Sequence, residues 1–407
     1  MKTITGTYSS AVIYTDIIED SAVEQIKLLC DQPFVKDSRI RIMPDVHAGK
    51  GCVIGFTADL GDMVIPNIVG VDIGCGMYTV ELGKIDIDFD DLDKAIRRYV
   101  PSGTKVHEGR IVRFPELMEL KCYRVLKDTK RLERSIGTLG GGNHFIEIDR
   151  DEDGNKYLVI HTGSRNLGTQ VANHYQNLAY ELMCGKDELF RRQNEIIQQY
   201  KAEGRRSEIE GAIKELHRSF QAQECVTPRE LCYLTGEYRQ MYLHDMRICQ
   251  DFASLNRVTI ARSILSSAFG MELSDCPQFE TIHNYIDHES NIVRKGAVSA
   301  KKGEKLLIPI NMRDGSLICV GMCAPEWNCS APHGAGRLFS RNEAKERFTL
   351  DEFRDSMTGI FSTSVHLSTI DECPMAYKSM EDIVDNISPT ADVIRIIKPV
   401  YNFKAGD

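Results

Sequence analysis

Asp72 and Cys75 stand three apart in the glycine-rich run VDIGCGM. A carboxylate and a thiolate on one short turn are metal-ligand chemistry. Three histidines extend the set: His144 in GGGNHF, His161 ending the apolar run YLVIH, and His283 in TIHNY. A lone histidine is more often a hydrogen-bonded structural residue than a ligand. Thiolate, carboxylate and imidazoles together suit a borderline divalent ion such as Mn, Fe, Co or Zn better than Mg, and a thiolate can bridge two ions. Setting His333 aside, His47, His107, His174, His217, His244, His288 and His366 read mostly as structural or surface residues.

Anion chemistry comes next. Arg165 in HTGSRNLG, and Arg337 and Arg341 in HGAGRLFSR, lie beside glycine and serine. Planar guanidinium groups with free backbone N–H groups recognise phosphate oxygens. A surface arginine is the commoner case, yet three in such settings point to phosphate. His333 in SAPHGAGR is flanked by small residues that leave its ring open. A neutral imidazole nitrogen can attack phosphorus and form a phosphoramidate. It could equally ligate a metal, and the spacing leaves both roles open. The chain has neither the KxDG lysine motif of conventional nucleotide ligases nor a GxxxxGK[ST] phosphate loop.

These residues need loops and strand ends to hold them. Glycines cluster in HAGKGCVIG, VGVDIGCGM, GTLGGGNHF, HTGSRNLG and HGAGR, as expected where backbone approaches a ligand. Strands are predicted at CVIGFT, MYTVEL, KYLVIH, KLLIPI and SLICVG. Helices are predicted at AVEQIKLLCDQ, capped by Asp20 or Ser21, at FDDLDKAIRRYV, and from Pro115 through ELMELKCYRVLKDTKRLERSI to Gly137. From about 170 to 265 the chain is glycine-poor, charged and helix-prone, a helical insertion in an α/β body. Most of it reads as a structural bundle; Asn256 and Arg257 near its end are less easily placed.

The chain has 407 residues, 42% hydrophobic and 27% charged, the balance of an ordinary globular protein rather than a disordered chain or coiled-coil rod. No apolar run nears the ~20 residues that cross a bilayer, and no secretory signal opens the chain. With 50 Lys and Arg against 59 Asp and Glu, the net charge is −9, which disfavours a general nucleic-acid coat. Any RNA path must be a local basic strip, for which Arg294, Lys295, Lys301 and Lys302 are candidates, although Lys301 and Lys302 read more simply as a solvated charged turn. Thirteen scattered cysteines without CxxC point to a reducing, cytoplasmic setting, most of them buried as small hydrophobes.

Seven motifs in order, MPDVHAGKGCVIG, VGVDIGCGM, GTLGGGNHFIEI, HTGSRNLG, IHNY, RKGAVSA and SAPHGAGRLFSR, together resemble the RtcB family of RNA ligases. The final stretches DECPMAYKSMEDIV and IRIIKPVYNFKAG resemble it too, so the likeness spans nearly the whole chain. It implies a mixed α/β fold of the family's own kind, with mixed sheets and glycine-rich loops, as a single catalytic domain over 1–407 with the insertion at 170–265. It implies GTP- and manganese-dependent joining of an RNA 3′-phosphate, or 2′,3′-cyclic phosphate, to a 5′-hydroxyl, in RNA repair or tRNA splicing.

Carried over by motif, Asp72, Cys75 and His144 would hold one manganese, and Cys75, His161 and His283 the second. His333 would become guanylylated. Asn143, Arg165, Asn284, Arg337 and Arg341 would contact phosphates of GTP or RNA. Phe145, Glu147, Tyr377 and Lys404 would form the guanine pocket, while Asp45 and His47 would support the metal ligands from behind. GMP would pass from His333 to the RNA 3′-phosphate, and the 5′-hydroxyl would displace it. Some relatives also take an archease-type activating partner; no membrane is implied. Where many members have Pro-Gly-Ser-Met-Gly, this chain reads Pro309-Ile310-Asn311-Met312-Arg313-Asp314-Gly315, a change that bears on GTP grip and RNA fit. Two other classes compete: a cyclic phosphodiesterase or phosphohydrolase using the same metal ligands without nucleotide, and a non-catalytic RNA-binding scaffold. His333 and Glu147 speak against the first, the complete ligand set against the second.

Overall fold

Short β-branched runs pair into one dominant sheet in the computed structural model, which describes residues 1–220 and 223–405. The final glycine of the IRIIKPVYNFKAG stretch, Gly406, lies outside the described residues. The sheet has 14 strands. Its path runs Lys2–Thr5, Ser10–Ile13, Ile40–His47, Ile54–Asp59, Ile292–Ser299, Gln278–Ile286, Gly76–Gly83, Lys156–Thr162, Phe145–Arg150, Ala391–Lys404, Gly315–Gly321 and Lys305–Asn311. Pairing is antiparallel except between Ser10–Ile13 and Ile40–His47, and between Phe361–Ser362 and Ala391–Lys404. The last strand curls back, so that Leu307 N donates to Thr281 Oγ1 at 3.0 Å. Met77, Phe145, Tyr157, Val159, Leu307, Ile318 and Ile397 fill the space so enclosed. The fold is mixed α/β, and all five sequence-predicted strands are present within a residue or two of their expected ends.

Helices cover the sheet where their apolar spacing allows. Asp20–Cys30 buries Ala22, Ile26, Leu29 and Cys30, the i, i+4, i+7, i+8 stripe of an amphipathic helix. Phe89–Tyr99 starts where the Asp88 side chain accepts from Asp91 N at 3.0 Å and ends on Arg97 and Arg98. The 29-residue helix Gly236–Ile264 sits deepest. Tyr242, Met246 and Phe252 pack into one core with Ile13 and Phe56, and Ile260 and Ile264 into another with Val80 and Ile160. Arg165–Glu181 also buries Leu167, Val171 and Tyr175, whereas Asp187–Ala202 and Ile209–Ser219 bury only Leu189 between them.

One expectation fails. The stretch from Pro115 to Gly137 is not a single helix but two 3-10 turns, Pro115–Glu119 and Tyr123–Val125, then the short helix Thr129–Glu133. The Asp245 carboxylate takes the N–H groups of Lys121 and Cys122 at 2.8 and 3.0 Å, withdrawing them from any helical ladder. Asp128 then adopts left-handed φ 48° and caps the short helix. The cysteines differ too: Cys323 and Cys329 form a disulfide, since the turn at Pro325–Trp327 brings their Cα atoms to 4.1 Å. Of the free cysteines all but Cys225 are buried. Among the described residues, no helix is long and apolar enough to cross a membrane.

Candidate active site

Three strands end at one corner of the sheet. Gly76 pairs with Thr162 on one side and Ile282 on the other, and Phe145 pairs with His161. Cys75, His144, His161 and His283 therefore arrive together from four sequence regions, with His283 N donating to Cys75 O at 2.8 Å. Cys75 Sγ lies 3.3 Å from His161 Nε2 and 3.5 Å from His144 Nε2. His144 Nε2 is 3.0 Å from Asp72 Oδ2, and His161 Nε2 is 3.4 Å from His283 Nε2. Two triads share the thiol: Asp72, Cys75, His144 and Cys75, His161, His283, each with donor atoms within 4.8 Å of one another.

The donor set fits a divalent cation. His144 and His161 direct Nδ1 to the carbonyls of Leu139 (2.9 Å) and Asn143 (3.2 Å), which turns both Nε2 atoms toward Cys75. Asp72 Oδ1 and His283 Nδ1 are buried without a hydrogen-bond partner. Burial and neighbouring histidines push His161 and His283 well down, leaving neutral imidazoles. Burial, then the charge of Asp72, pushes the Cys75 thiol well up, so only a cation would keep it as thiolate. Against the cost of burial, the hydrogen bond and charge of His144 hold Asp72 below its usual range.

His333 adjoins this cluster, its ring centroid 4.8 Å from that of His283. The buried Asp45 carboxylate holds it: Oδ2 is 2.6 Å from His333 Nδ1 and accepts the backbone N–H of His333 (3.0 Å) and Gly334 (3.2 Å). Nε2 is then the free nitrogen. Asp45 thus serves His333 rather than a metal ligand, and His47 follows it, Nδ1 lying 3.0 Å from Asp45 O and its ring pushed by burial down to about 4.

A cavity of about 680 Å³ opens from His161 and His333 toward Glu147, Tyr377 and Lys404. Asn143, Phe145, Arg337 and Arg341 line it too, as do Pro309, Ile310, Asn311 and Met312 of the divergent loop. Glu147 accepts from Asn402 Nδ2. Lys404 Nζ lies 5.7 Å from the Phe145 ring centroid and 2.6 Å from Glu372. Glu372 is a residue that motif reading missed. It accepts from Tyr377 OH at 2.8 Å and lies 2.8 Å from Arg341 and 3.3 Å from Arg337. Against burial, Lys404, Arg341 and Arg337 hold its carboxyl far below the usual range. Its sequence signal is its place in the family-like stretch DECPMAYKSMEDIV, where Asp371 and Glu372 form an adjacent acidic pair, but no role is legible for it there.

Other expected phosphate contacts stand apart or are engaged. Arg337 donates to Phe339 O, Asp371 O and Tyr377 OH, so its guanidinium is tied to protein. Arg165 lies in a separate cleft of about 450 Å³ with Asp72 and Arg131, donating to Thr138 Oγ1 and Gly103 O. Asn284, at φ 106°, uses its side chain on Asp72 O and Gly296 N. The basic strip fails in part: Arg294 and Lys295 are buried, Arg294 against Ser330, Tyr285 and Asp287, Lys295 on the carbonyls of Lys50 and Asn67. Lys301 pairs with Asp287 and Glu289. Asn256 and Arg257 prove to be supports: Asn256 bridges Gly137, Thr138 and Gly163, and Arg257 donates to Gly74 O, Thr162 O and Glu280.

A mixed sheet whose strand ends gather thiol, carboxyl and imidazole donors, able to hold a divalent cation, beside a carboxylate-held histidine and a cavity of about 680 Å³ defines the class. The chain belongs to the RtcB family: the model of that family, described as tRNA-splicing ligase RtcB, matches residues 25–121 and 115–405. RNA-splicing ligase RtcB of Escherichia coli (strain K12) is 29% identical over 426 residues, covering 95% of both chains. The tRNA-splicing ligase RtcB of Archaeoglobus fulgidus is 26% identical over 462 residues, covering 91% of this chain and 87% of its own. RNA-splicing ligase RtcB2 of Escherichia coli (strain ATCC 25922) is 24% identical over 420 residues, covering 95% and 93%.

Proposed function

We propose that this protein is a GTP-dependent RNA ligase joining a 3′-phosphate or 2′,3′-cyclic phosphate end to a 5′-hydroxyl end. The names of its relatives support action on RNA. The observation that carries the reading is the Asp45–His333 pair at 2.6 Å, opening on the same cavity as Glu147 and Lys404. Asp45 holds the Nδ1 proton, so Nε2 keeps its lone pair for attack and the ring's growing positive charge meets a buried carboxylate. His333 Nε2 attacks the α-phosphorus of GTP and pyrophosphate leaves. The GMP passes to an RNA 3′-phosphate, and the 5′-hydroxyl then displaces it. A cyclic phosphate is first opened by water. Glu147 accepts from the N–H edge of guanine and Lys404 donates to it, while Tyr377 and Phe145 enclose the base. Two manganese ions, held by Asp72, Cys75, His144, His161 and His283, would screen the phosphate charges that otherwise repel an approaching nucleophile.

The test is α-labelled GTP with manganese, comparing wild type with His333→Ala. The expected result is acid-labile, manganese-dependent label on wild type alone. An unlabelled wild-type protein that binds manganese would end the ligase reading, and hydrolysis of a 2′,3′-cyclic phosphate would be the activity to assay next.

A further inference from the structure

Lys378 is a lysine with almost no water: it is 3% exposed. Among the described residues no carboxylate pairs with it. Its ammonium donates to three backbone carbonyls, Pro44 O at 2.8 Å, Ile17 O at 3.0 Å and Val46 O at 3.4 Å. Two of those carbonyls flank Asp45, the residue that grips His333. The main chain of Lys378 reaches the other partner of that pair, its N–H donating to Gly336 O at 3.1 Å in the loop that carries His333. Gly336, at φ 78°, lies so close to the backbone of Asp45 that a Cβ would overlap Asp45 O.

Burying an ammonium is expensive, and a surface lysine at this place would cost nothing. Its hydrogen-bonding here has one geometric consequence: the strand bearing Asp45 and the loop bearing His333 are clamped to one residue. The positive charge also lies on the Asp45 side, where it offsets the burial of a carboxylate that takes all three of its hydrogen bonds through Oδ2. Among the described residues Asp45 Oδ1 has no partner, so only the bonds through Oδ2 set the rotation of that side chain.

We propose that Lys378 is a positioning residue that sets the Asp45–His333 geometry for nucleotide transfer, a role that rests on the proposed attack by His333. Lys378 touches no substrate; it acts through the carbonyls on either side of Asp45. A displacement of the attacking nitrogen by about 1 Å lowers a rate on the order of 100-fold. Removing the ammonium should therefore slow guanylylation at saturating GTP and leave the GTP concentration for half-maximal rate nearly unchanged. A merely structural lysine would slow the rate and raise the half-saturating GTP concentration together, or change neither.

Lys378→Met keeps the stem and removes the charge; Lys378→Gln keeps one donor and should recover part of the loss. Two readouts are taken on protein of verified thermal unfolding. The first is the rate of GMP labelling against GTP concentration. The second needs neither metal nor nucleotide: the Nδ1 proton of His333, observed by NMR in metal-free protein labelled with 15N-histidine and assigned by its loss in His333→Ala. The proposal requires a downfield proton in wild type that moves upfield or vanishes in Lys378→Met, with Lys378→Gln between. An unchanged proton in a folded Lys378→Met protein overturns it, as does wild-type labelling by that variant. If wild type itself takes no label, the ligase reading falls, and the proton still decides whether Lys378 sets the pair.

Discussion

Glu147 and Asp149 are neighbours on one face of Phe145–Arg150, both buried. Burial pushes the Glu147 carboxyl up to about 7, against the pull of Lys404 and the Asn402 hydrogen bond. Asp149 is pushed well up by burial and then by Glu147, and neither of its oxygens has a partner. Two such carboxyls do not ionise together in an apolar site. A folded pKa above the ordinary 4.5 adds stability below that pH and loses it as pH rises toward about 7. Glu147→Gln should thus gain on wild type steadily across that window, by up to about 1.4 kcal/mol per pH unit. Urea unfolding at several pH values measures it, and parallel curves would refute it. The same ionisation bears on guanine: only the carboxylate accepts two N–H groups, so wild-type GTP binding should tighten across this window and that of Glu147→Gln should not. Glu147 was legible because it follows GGGNHF in one motif. Glu372 lies in a family-like stretch too, but its role was not legible there, since its worth depends on Lys404, Tyr377 and two arginines that meet it only in the fold.

Helix Gly236–Ile264 shows how an element positions residues that it does not contain. Its register places Asn256 under Gly137, Thr138 and Gly163, and Arg257 under Gly74 and Thr162. Those carbonyls and N–H groups belong to the turns that deliver Cys75, His144 and His161. Asn256→Ala should destabilise the fold by about 1–3 kcal/mol, the cost of stranding buried backbone groups. It should also weaken manganese binding, since the loops lose their common brace. Denaturant unfolding and calorimetric titration read the two effects, and weakened stability with unchanged metal affinity would show that the brace serves the core alone. The helix-prone reading of 170–265 covers this helix but could not say that its end reaches the site. The same helix explains the failed reading of 115–137, because Asp245 sits on it and draws off two N–H groups more than a hundred residues earlier in the chain. Local propensity has no access to such a competitor.

The assembly of the candidate metal site is a property of the whole molecule. Its ligands span residues 72 to 283 and meet only because the strand order sets Gln278–Ile286, Gly76–Gly83, Lys156–Thr162 and Phe145–Arg150 side by side. Cys75 belongs to both triads and His283 to one. Calorimetric titration should thus find two manganese ions on wild type, one on His283→Ala and little or none on Cys75→Ala. Manganese at about 100 times each Kd should stabilise wild type by about 2.7 kcal/mol per site, about 5 kcal/mol for the two, and Cys75→Ala by almost nothing. Equal stoichiometry in all three proteins would refute the shared-thiol arrangement. The sequence alone determined which side chains could do chemistry, because Asp72, Cys75 and the histidines sit in glycine-rich or strand-end settings that ordered motifs expose. It also determined the family, through motifs spread along nearly the whole chain. The tertiary structure alone decided that Asp45 serves His333, that Arg337 is tied to Asp371 and Tyr377, and that Arg294 and Lys295 are buried. The reason is physical: a residue's chemical type is written locally, but its burial and hydrogen-bond partners depend on segments that meet only when the sheet closes.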